Sequence, residues 1–255
     1  MIWPWRRRKH KPVRFSELKW DVHSHIVPGV DDGAQDMEAS LEMVGHLAAM
    51  GYKGLVLTPH IMSDLYPNSK ATLQPAFDRL VEAVNAAGLR MELRLAAEYL
   101  IEAETLAAIE AQDVLTFPCK DAQGAQHELI LMELGFHHPP EEALVKDVLF
   151  AAQTHGLTPL LAHCERYPYL HKNEALLDLW RERGGWMSVN AASLVGAYGN
   201  EVKDMAHRCM TQGWVSFVCS DAHGMRHVRA LESLSHSRHV AQWMEAGHCL
   251  HTGLG

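Results

Sequence analysis

The chain has 255 residues, 47% of them hydrophobic, which is enough apolar material for one large core or two small ones and excludes a disordered or fibrous protein. Its 23 Lys and Arg residues against 31 Asp and Glu residues give a net charge of −8, so binding to a nucleic-acid backbone is disfavoured. No apolar run approaches the roughly 18 to 20 residues of a membrane span, and none is predicted.

The first predicted element is a basic arm at residues 1–18, ahead of one folded domain at residues 19–255. Residues 6–9 of the arm read Arg-Arg-Arg-Lys and have no apolar stretch behind them, so the arm is not a secretory signal. We expect a solvated tail. Contact with a membrane surface or an acidic partner is the alternative, because Trp3 and Trp5 lie beside the charges.

After the arm, short apolar runs rich in β-branched residues alternate with longer stretches of 3.6-residue periodicity, which is the pattern of repeated βα units. Gly51, Gly88 and Gly156 each close a helical stretch just before the next strand, where a C-cap glycine is expected. Seven such repeats predict an α/β fold, a distorted, closed or nearly closed βα barrel. The predicted strands span residues 19–23, 54–58, 91–97, 129–134, 158–163, 186–190 and 215–220.

Two connections in this pattern are irregular, at residues 61–71 and 117–127. The first contains Pro67 and Asn68, and the second contains Pro118 and Gly124. We expect both to be surface loops, and a lid is the alternative for either. No break in composition and no low-complexity tract marks a second domain, so a single domain is predicted.

The predicted strand ends carry an unusual concentration of polar side chains. In a βα barrel the active site forms at the carboxyl ends of the strands, and six of the seven predicted ends carry His, Asp or Glu. His23 and His25 lie two residues apart, so both leave one face of an extended strand and can converge on one ion. The other candidates at these ends and in the loops that follow are Asp31, Asp32, His60, Glu98, Glu133, His163, Asp221 and His223.

This set of side chains predicts a polynuclear metal site. Imidazole together with carboxylate is a ligand set for zinc, manganese or iron. Five histidines and four carboxylates are too many for one ion with four to six ligands, so two or three ions that share bridging groups are expected. Each residue alone would be interpreted as a structural residue, but carboxylates gathered in one mouth repel one another, and bound cations are the simplest compensation.

Such a site is suited to phosphoester cleavage. One ion lowers the pKa of its bound water toward roughly 7, and paired ions roughly 3.5–4 Å apart stabilise the attacking and leaving oxygens. Arg166, three residues after His163, and Arg226, three after His223, are placed to overhang the same mouth and bind phosphate oxygens. A structural ion pair is the alternative role of each arginine.

The cysteines do not indicate a nucleophile. Their number is odd and they form no C-x-x-C pair, so neither a disulfide framework nor a zinc ribbon is indicated, and a reducing cytoplasm fits best. No cysteine has Arg six positions later, as a C-x5-R phosphate loop requires; Cys219 comes nearest, but Met225 occupies that position and Arg226 is one residue late. No G-x-S-x-G elbow occurs, which disfavours serine catalysis.

Together these segments resemble the polymerase-and-histidinol-phosphatase (PHP) superfamily, and within it the bacterial capsular-polysaccharide tyrosine phosphatases. The resemblance extends in order from about residue 20 to 245. D-x-H-x-H followed by DDG and H-x-E-R-Y is far more specific than D-x-H-x-H alone. The segments that carry it are Asp-Val-His-Ser-His-Ile-Val-Pro-Gly-Val-Asp-Asp-Gly (21–33), Thr-Pro-His (58–60), Ala-Glu-Tyr (97–99), Ala-His-Cys-Glu-Arg-Tyr (162–167) and Ser-Asp-Ala-His (220–223).

The resemblance implies a distorted seven-stranded PHP-type barrel with two or three divalent ions, commonly manganese, with iron or zinc as alternatives. It implies a metal-dependent hydrolase, not cysteine-based, in which a metal-activated hydroxide removes phosphate from the phosphotyrosine tail of a bacterial tyrosine kinase that regulates capsule or exopolysaccharide synthesis. The implied ligands are His23, His25, Glu98 and Asp221 for the first ion, Glu98, Glu133 and His163 for the second, and Asp32, His60 and His223 for the third.

The resemblance also implies that Arg166 and Arg226 grip the phosphate. Arg229 is the alternative to Arg226, because the segment after His223 is shorter than in many relatives. Asp31 is the alternative to Asp32.

Two other functions stay open at this point. One is a small-molecule phosphatase of the same superfamily that acts on histidinol phosphate or a nucleotide, although the Val-Asp-Asp-Gly and Glu-Arg-Tyr segments favour the tyrosine branch. The other is a non-catalytic metal-binding scaffold that docks a kinase, although all nine implied ligand positions are filled. The native metal and the oligomeric state are not determined by the sequence.

Overall fold

Strands and helices alternate along the part of the chain that the structure, a computed structural model, describes: residues 15–234, 237–247 and 249–254. The strands are β1 Trp20–Asp21, β2 Gly54–Leu57, β3 His60–Ile61, β4 Glu92–Leu95, β5 Glu98–Leu100, β6 Phe117–Lys120, β7 Gln126–Glu133, β8 Leu157–Leu161, β9 Trp186–Asn190 and β10 Phe217–Cys219. The helices are α1 Phe15–Leu18, α2 Met37–Met50, α3 Lys70–Ala86, α4 Ala103–Glu110, α5 Glu142–Thr154, α6 Ala175–Glu182, α7 Ala191–Leu194, α8 Asn200–Thr211, α9 Met225–Ser233 and α10 Arg238–Glu245.

The predicted basic arm lies mostly outside the described residues, which begin at Phe15. The last part of the arm, residues 15–18, forms α1, and its Phe15 and Leu18 side chains are buried in the main core. The packed part of the chain therefore starts ahead of the predicted boundary at residue 19.

The parallel strands form a curled, distorted barrel. The sheet order is β1-β2-β4 in one sheet and β3-β5-β7-β8-β9-β10 in the other. A parallel bridge between Ser24 and Ala222 joins the chain after β1 to the chain after β10, and the His25 N–H donates to the Ala222 carbonyl at 3.0 Å. The prediction of a distorted seven-stranded βα barrel is confirmed.

Two of the predicted strands are each followed by a short strand that was not predicted. β2 pairs with β1 and β4, whereas β3, after the break at Thr58 and Pro59, pairs with β5. Pro59 has no N–H to donate to a ladder, so the pairing is interrupted there. β4 and β5 are separated in the same way at residues 96–97. These breaks carry the chain from one sheet to the other.

The prediction of an irregular connection at residues 117–127 is wrong in part. β6 pairs antiparallel with the first half of β7, and the Asp121 carboxylate accepts hydrogen bonds from the Gln123 and Ala125 N–H groups in the turn between them. β6 is only four residues long and contains Pro118, a residue that is typical of turns, so the sequence pattern does not indicate a strand here. The connection at 61–71 is a loop over most of its length, closed by a Met62–Tyr66 bridge, before α3 begins at Lys70.

The core has two parts, one inside the barrel and one between the barrel and its helices. The inside is filled by side chains such as Trp20, Leu131 and Phe217, together with Leu254 of a short 3-10 helix, His251–Leu254. Outside, the helices end as predicted: Gly51, Gly88 and Gly156 follow α2, α3 and α5 with φ of 104°, 69° and 74°. The described helices include none that is both long and apolar enough to cross a bilayer. The five cysteines are free.

Candidate metal centre

All nine residues predicted as metal ligands lie together at the carboxyl ends of the barrel strands. Seven of them lie at the end of a strand or in the connection that follows, whereas His60 and Glu98 begin the short strands β3 and β5, just beyond the breaks after β2 and β4. The carboxyl ends of parallel strands in one barrel face the same mouth. All five histidines contact the carboxylate of Glu98 or Asp221. The other two carboxylates, Asp32 and Glu133, each contact His60, so the nine residues form one continuous cluster. The positions are His23 and His25 after β1, Asp32 in the next loop, His60 in β3, Glu98 in β5, Glu133 at the end of β7, His163 after β8, and Asp221 and His223 after β10.

Glu98 occupies the middle of the cluster. Its Oε2 atom lies 3.2 Å from His23 Nε2, 3.3 Å from His25 Nε2 and 3.2 Å from His60 Nδ1. Its Oε1 atom lies 3.1 Å from His163 Nε2. The Glu98 side chain is fully buried, so this carboxylate connects four imidazoles from three parts of the barrel without access to water.

The ligand atoms form four overlapping groups of three or four, each compact enough for one ion. The predicted third set, Asp32, His60 and His223, lies within one group that also includes His25. The predicted second set is divided, because His163 and Glu133 share Glu98 but lie in different groups, with His163 Nε2 3.9 Å from Glu133 Oε2. The four groups are His25, Asp32, His60 and His223; His23, His25 and Asp221; His23, Glu98 and His163; and His60, Glu98 and Glu133.

The unsatisfied polar atoms of the structure indicate that these residues fit metal ions. Both Glu98 oxygens, Glu133 Oε1 and Asp221 Oδ1 are buried and have no hydrogen-bond partner, and the same is true of His60 Nδ1. A buried carboxylate without a partner is costly, and native proteins rarely tolerate several in one place. Divalent cations would satisfy all of these atoms at once, and a mixture of imidazole and carboxylate donors suits manganese, iron or zinc.

Asp31 and Asp32 have different surroundings, which indicates which of the two aspartates is the better candidate for a metal ligand. The Asp31 carboxylate accepts hydrogen bonds from His25 Nδ1 at 2.8 Å, from the Gly33 N–H at 2.9 Å and from the His60 N–H at 3.0 Å. Asp32 Oδ1 instead lies 3.4 Å from both His60 Nε2 and His223 Nε2, on a side chain that is 53% exposed. Asp31 therefore orients His25, whereas Asp32 faces the cluster.

The titration of these groups is shifted by their mutual contacts. Burial alone would lower the pKa of His60, but the nearby carboxylates of Asp32 and Glu133 raise it to about 12. Burial raises the pKa of Glu133 to about 7, and the neighbouring Glu98 charge acts in the same direction. The nearby imidazoles of His223 and His60 hold the pKa of Asp32 far below its ordinary value. Protons and metal ions therefore compete for the same atoms, and metal binding releases protons.

Two of the clustered residues have a strained backbone. His163 and Asp221 have φ of 32° and 47°, in the left-handed region that residues with a side chain rarely adopt. Such a conformation costs on the order of 1–3 kcal/mol and persists where the surrounding structure enforces it, frequently at functional sites. Both residues directly follow a barrel strand, so the left-handed turn directs their side chains back over the mouth.

The two predicted phosphate-binding arginines both line the cavity above the cluster, which has a volume of about 270 Å³. Arg166 Nη1 donates to Asp221 Oδ2 at 3.1 Å. Arg226 lies in the first turn of α9 with an exposed side chain. The alternative, Arg229, is also exposed but is not one of the residues that line this cavity.

Four further residues at the site were not predicted as functional. Asn190 ends β9, and its side-chain amide donates to Asp221 Oδ2 at 2.5 Å. Phe136, Tyr198 and His227 line the cavity. Asn190 was visible in the sequence as the polar end of the sixth strand, but Phe136 and Tyr198 lie in loops, where an aromatic residue gives no periodic signal.

The comparisons with known proteins agree with this geometry. The family model for capsular polysaccharide synthesis, CpsB/CapC, matches residues 19–245. The chain belongs to this family. The resemblance inferred from the sequence motifs is thereby confirmed.

Characterised relatives of this CpsB/CapC member include two named tyrosine-protein phosphatases. YwqE of Bacillus subtilis is 28% identical over 206 residues, which cover 81% of the chain and 78% of YwqE. CpsB of Streptococcus pneumoniae is 23% identical over 210 residues, which cover 80% of the chain and 83% of CpsB. A crystal structure from work on these two proteins, described as unique metal-dependent tyrosine phosphatases, superimposes with a TM-score of 0.74 and 25% identity and covers 92% of this chain and 95% of that one.

Proposed function

We propose that this CpsB/CapC member is a metal-dependent protein-tyrosine phosphatase. The observation that carries the proposal is the convergence of five imidazoles and four carboxylates at one barrel mouth, with several buried oxygens that lack any hydrogen bond. The relatives named as tyrosine phosphatases, and the metal dependence of the structural neighbour, support the reaction class. A cysteine-based mechanism has no support, because four of the five cysteines are buried and none of the five lines the cavity above the cluster.

The nine clustered residues would hold two or three divalent ions, with manganese as the first choice and iron or zinc as alternatives. Bound ions would activate a water molecule for attack on phosphorus and stabilise charge on the phosphate oxygens. Glu98 belongs to two of the four ligand groups, which supports a bridging role for this carboxylate. The proposed ligands are His23, His25, Asp32, His60, Glu98, Glu133, His163, Asp221 and His223.

The arginines of the cavity would bind the phosphate group itself. Arg166 approaches from the segment after β8 and Arg226 from the start of α9, so the two guanidinium groups reach the cavity from different elements. Each can donate hydrogen bonds to phosphate oxygens and offset the negative charge that develops in the transition state. The leaving tyrosinate belongs to a phenol of pKa near 10, so little proton donation from the protein is required.

The physiological substrate in this proposal is the phosphotyrosine tail of a bacterial tyrosine kinase that regulates capsule or exopolysaccharide synthesis, in the cytoplasm. The family description, capsular polysaccharide synthesis, supports this assignment. An open mouth lined by two arginines suits a phosphorylated side chain that is presented on a flexible peptide.

The test is elemental analysis of the purified protein combined with phosphatase assays in the presence and absence of chelator. We expect at least two bound ions per chain, and hydrolysis of a phosphotyrosine peptide that chelator abolishes and added manganese restores. Histidinol phosphate and a nucleoside monophosphate serve as competing substrates. A strong preference for either small molecule would assign the alternative function, and metal-replete protein that hydrolyses no phosphomonoester would be a scaffold.

A further inference from the structure

The Arg166 side chain is held in place by contacts from three residues, Phe136, Tyr198 and Asp221. Arg166 ends the short 3-10 helix Cys164–Arg166, directly after β8. In the sheet, β8 lies between β7 and β9, so the segments that follow these two strands flank the position of Arg166. The segment after β7 contributes Phe136, and the segment after β9 and α7 contributes Tyr198.

Both aromatic rings contact the guanidinium group. The Arg166 Cζ atom lies 4.7 Å from the centroid of the Phe136 ring and 4.3 Å from the centroid of the Tyr198 ring. Both distances are well within the roughly 6 Å at which the ring quadrupole attracts a cation. Because the two rings come from neighbouring strands on either side of β8, the guanidinium plane is confined between separate elements of the barrel.

Most of the N–H donors of the Arg166 guanidinium group have no hydrogen-bond acceptor among the described residues. A planar guanidinium carries five N–H donors at its edge and none on its faces. One donor is bonded to Asp221 Oδ2 at 3.1 Å, and within the described part of the chain no other hydrogen bond of the Arg166 side chain is present. The side chain is still 24% exposed and lines the cavity together with both rings. The free donors therefore remain available to an oxygen ligand in the cavity.

We propose that Tyr198 and Phe136 are positioning residues that clamp the Arg166 guanidinium in its phosphate-binding orientation. A free arginine side chain loses considerable conformational entropy when it orders around a ligand. The two rings hold the Arg166 side chain in place before phosphate binds, so this loss of conformational entropy does not weaken phosphate binding. This inference rests on the proposed function, because it takes the cavity to be the phosphate site.

Tyr198 is the cleaner of the two residues to test. Phe136 also stacks on His163 and Tyr167, with centroid distances of 5.4 Å to each, so its removal would disturb a proposed metal ligand directly. Tyr198 is only half-buried, lies between Gly196 and Gly199 in a surface connection and makes no ring contact with a proposed metal ligand among the described residues. Loss of its ring is therefore expected to leave the fold and the metal content intact.

The experiment compares Tyr198→Leu with Tyr198→Phe in the manganese-loaded protein. Phe keeps the ring and loses only the hydroxyl, whereas Leu removes the ring. We expect Tyr198→Leu to weaken the binding of inorganic phosphate, measured by calorimetry, about 3- to 10-fold and to raise KM for a phosphotyrosine peptide more than it lowers kcat. Tyr198→Phe should stay within about twofold of the parent. Phe150→Leu, an exposed aromatic on α5 outside the cavity, is the matched control and should change nothing.

A second comparison shows whether Tyr198 acts through Arg166. In an Arg166→Ala background, Tyr198→Leu should cause no further loss of phosphate affinity, since the group that it positions is absent. Equal losses in both backgrounds, or a loss in Tyr198→Phe as large as in Tyr198→Leu, would overturn the clamp.

Calorimetry with inorganic phosphate needs no turnover. The proposed phosphatase activity and the proposed positioning of Arg166 can therefore be refuted independently of each other. Protein that hydrolyses no phosphomonoester but shows the coupled loss of phosphate binding would refute the phosphatase and support the clamp. Protein that hydrolyses phosphotyrosine while phosphate binding is insensitive to Tyr198→Leu would support the phosphatase and refute the clamp.

Discussion

At the scale of single residues, Glu98 shows why the cluster needs cations. Burial alone would raise the pKa of this carboxyl group, but the charge of His23 and the close contacts with His163 and His23 hold it well below its usual range. Glu98 is therefore ionised, buried and without any hydrogen bond of good geometry. An uncompensated buried charge is expensive, so the surroundings must supply positive charge, either as protonated imidazoles or as metal ions.

The first prediction concerns His23, which lies 3.2 Å from Glu98 Oε2 and 3.4 Å from Asp221 Oδ1. His23→Ala should lower the metal content and abolish turnover while the circular dichroism spectrum stays that of the parent, because one residue at the barrel mouth does not hold the fold together. His46→Ala, an exposed position on α2, is the control for the loss of an imidazole. Unfolding of the His23 variant would show instead that this side chain is structural.

A second prediction distinguishes Asp31 from its neighbour. Because Asp31 accepts a hydrogen bond from His25 Nδ1, it leaves His25 Nε2 with its lone pair toward the cluster. Asp31→Asn should lower metal affinity roughly 10- to 100-fold, the usual range for a residue that orients a ligand. Titration with manganese under chelator buffering measures this affinity, and Asp147→Asn, an exposed position on α5, should leave it unchanged. An unchanged affinity in Asp31→Asn would mean that His25 is oriented by something else.

Residue types at strand ends were predictable, but their exact partners were not. The nine candidates were found in the sequence because His, Asp and Glu directly after apolar strands are conspicuous. Asp31 and Asp32 are adjacent and chemically identical, so only the fold shows which of the two carboxylates accepts a hydrogen bond from His25. Tyr198 and Phe136 come together from loops more than sixty positions apart, and a contact of that kind depends on the strand order.

At the scale of secondary-structure elements, the loop after β1 is held very close to the strand that precedes it. The Ala34 N–H donates to the His25 carbonyl at 2.9 Å, and the Gly29 N–H donates to the Ala34 carbonyl at 2.8 Å. A Cβ atom at Gly33 would lie 2.0 Å from the His25 carbonyl oxygen. Glycine is therefore required for this close approach, and the approach is what brings Asp31 and Asp32 to the barrel mouth.

The third prediction follows from this packing. Gly33→Ala should displace the loop, because backbone atoms and not a flexible side chain oppose the new methyl group. We expect a loss of at least about tenfold in metal affinity, comparable to the loss of an orienting residue. Gly45→Ala is the matched control, because Gly45 lies inside α2, where alanine favours the helix. A Cβ atom at Gly45 would contact only Leu89 Cδ2, at an ordinary van der Waals distance of 4.0 Å. Metal affinity equal to that of the parent would show that the loop can relax without moving Asp32.

The elements themselves were predictable to different degrees. Apolar runs located the seven predicted strands, because segments such as β2 and β10 are buried along their whole length and lack polar interruptions. β3 and β5, which follow the breaks at Pro59 and at residues 96–97, were not predicted, because strands of two and three residues show no periodic pattern and are defined by their pairing partner. β6 was missed because its four residues gain strand character only from pairing with β7.

At the scale of the whole molecule, the barrel is closed at both ends by different means. The metal ligands fill the carboxyl end, and the segment His251–Leu254 fills the amino end. The His251 ring accepts a hydrogen bond from the Val218 N–H at 3.0 Å through Nε2, and its Nδ1 donates to the Trp20 carbonyl at 2.6 Å. One buried imidazole thus connects β10 to β1, a long-range contact that no local sequence pattern could indicate.

The last prediction tests this connection through its pH dependence. Burial lowers the pKa of His251 to about 4, below its ordinary value of 6.5. The imidazole therefore contributes stability while it is neutral, above about pH 6.5, and this contribution is lost as the pH falls toward 4, by on the order of 3 kcal/mol if the full shift is realised.

His251→Asn keeps a donor for the Trp20 carbonyl but does not titrate. At about pH 7.5 we expect the parent to have the higher free energy of unfolding, and this advantage should shrink progressively as the pH is lowered through 6.5 toward 4.5. Urea unfolding measured with chelator present removes any contribution from metal release. His46→Asn, at an exposed position on α2, is the control for the same substitution elsewhere and should leave the free energy of unfolding close to that of the parent. A parent advantage that stayed constant over the same interval would mean that protonated His251 is accommodated in the folded barrel, and that closure of this end depends on the packing of Leu254 against Phe217 and its neighbours instead.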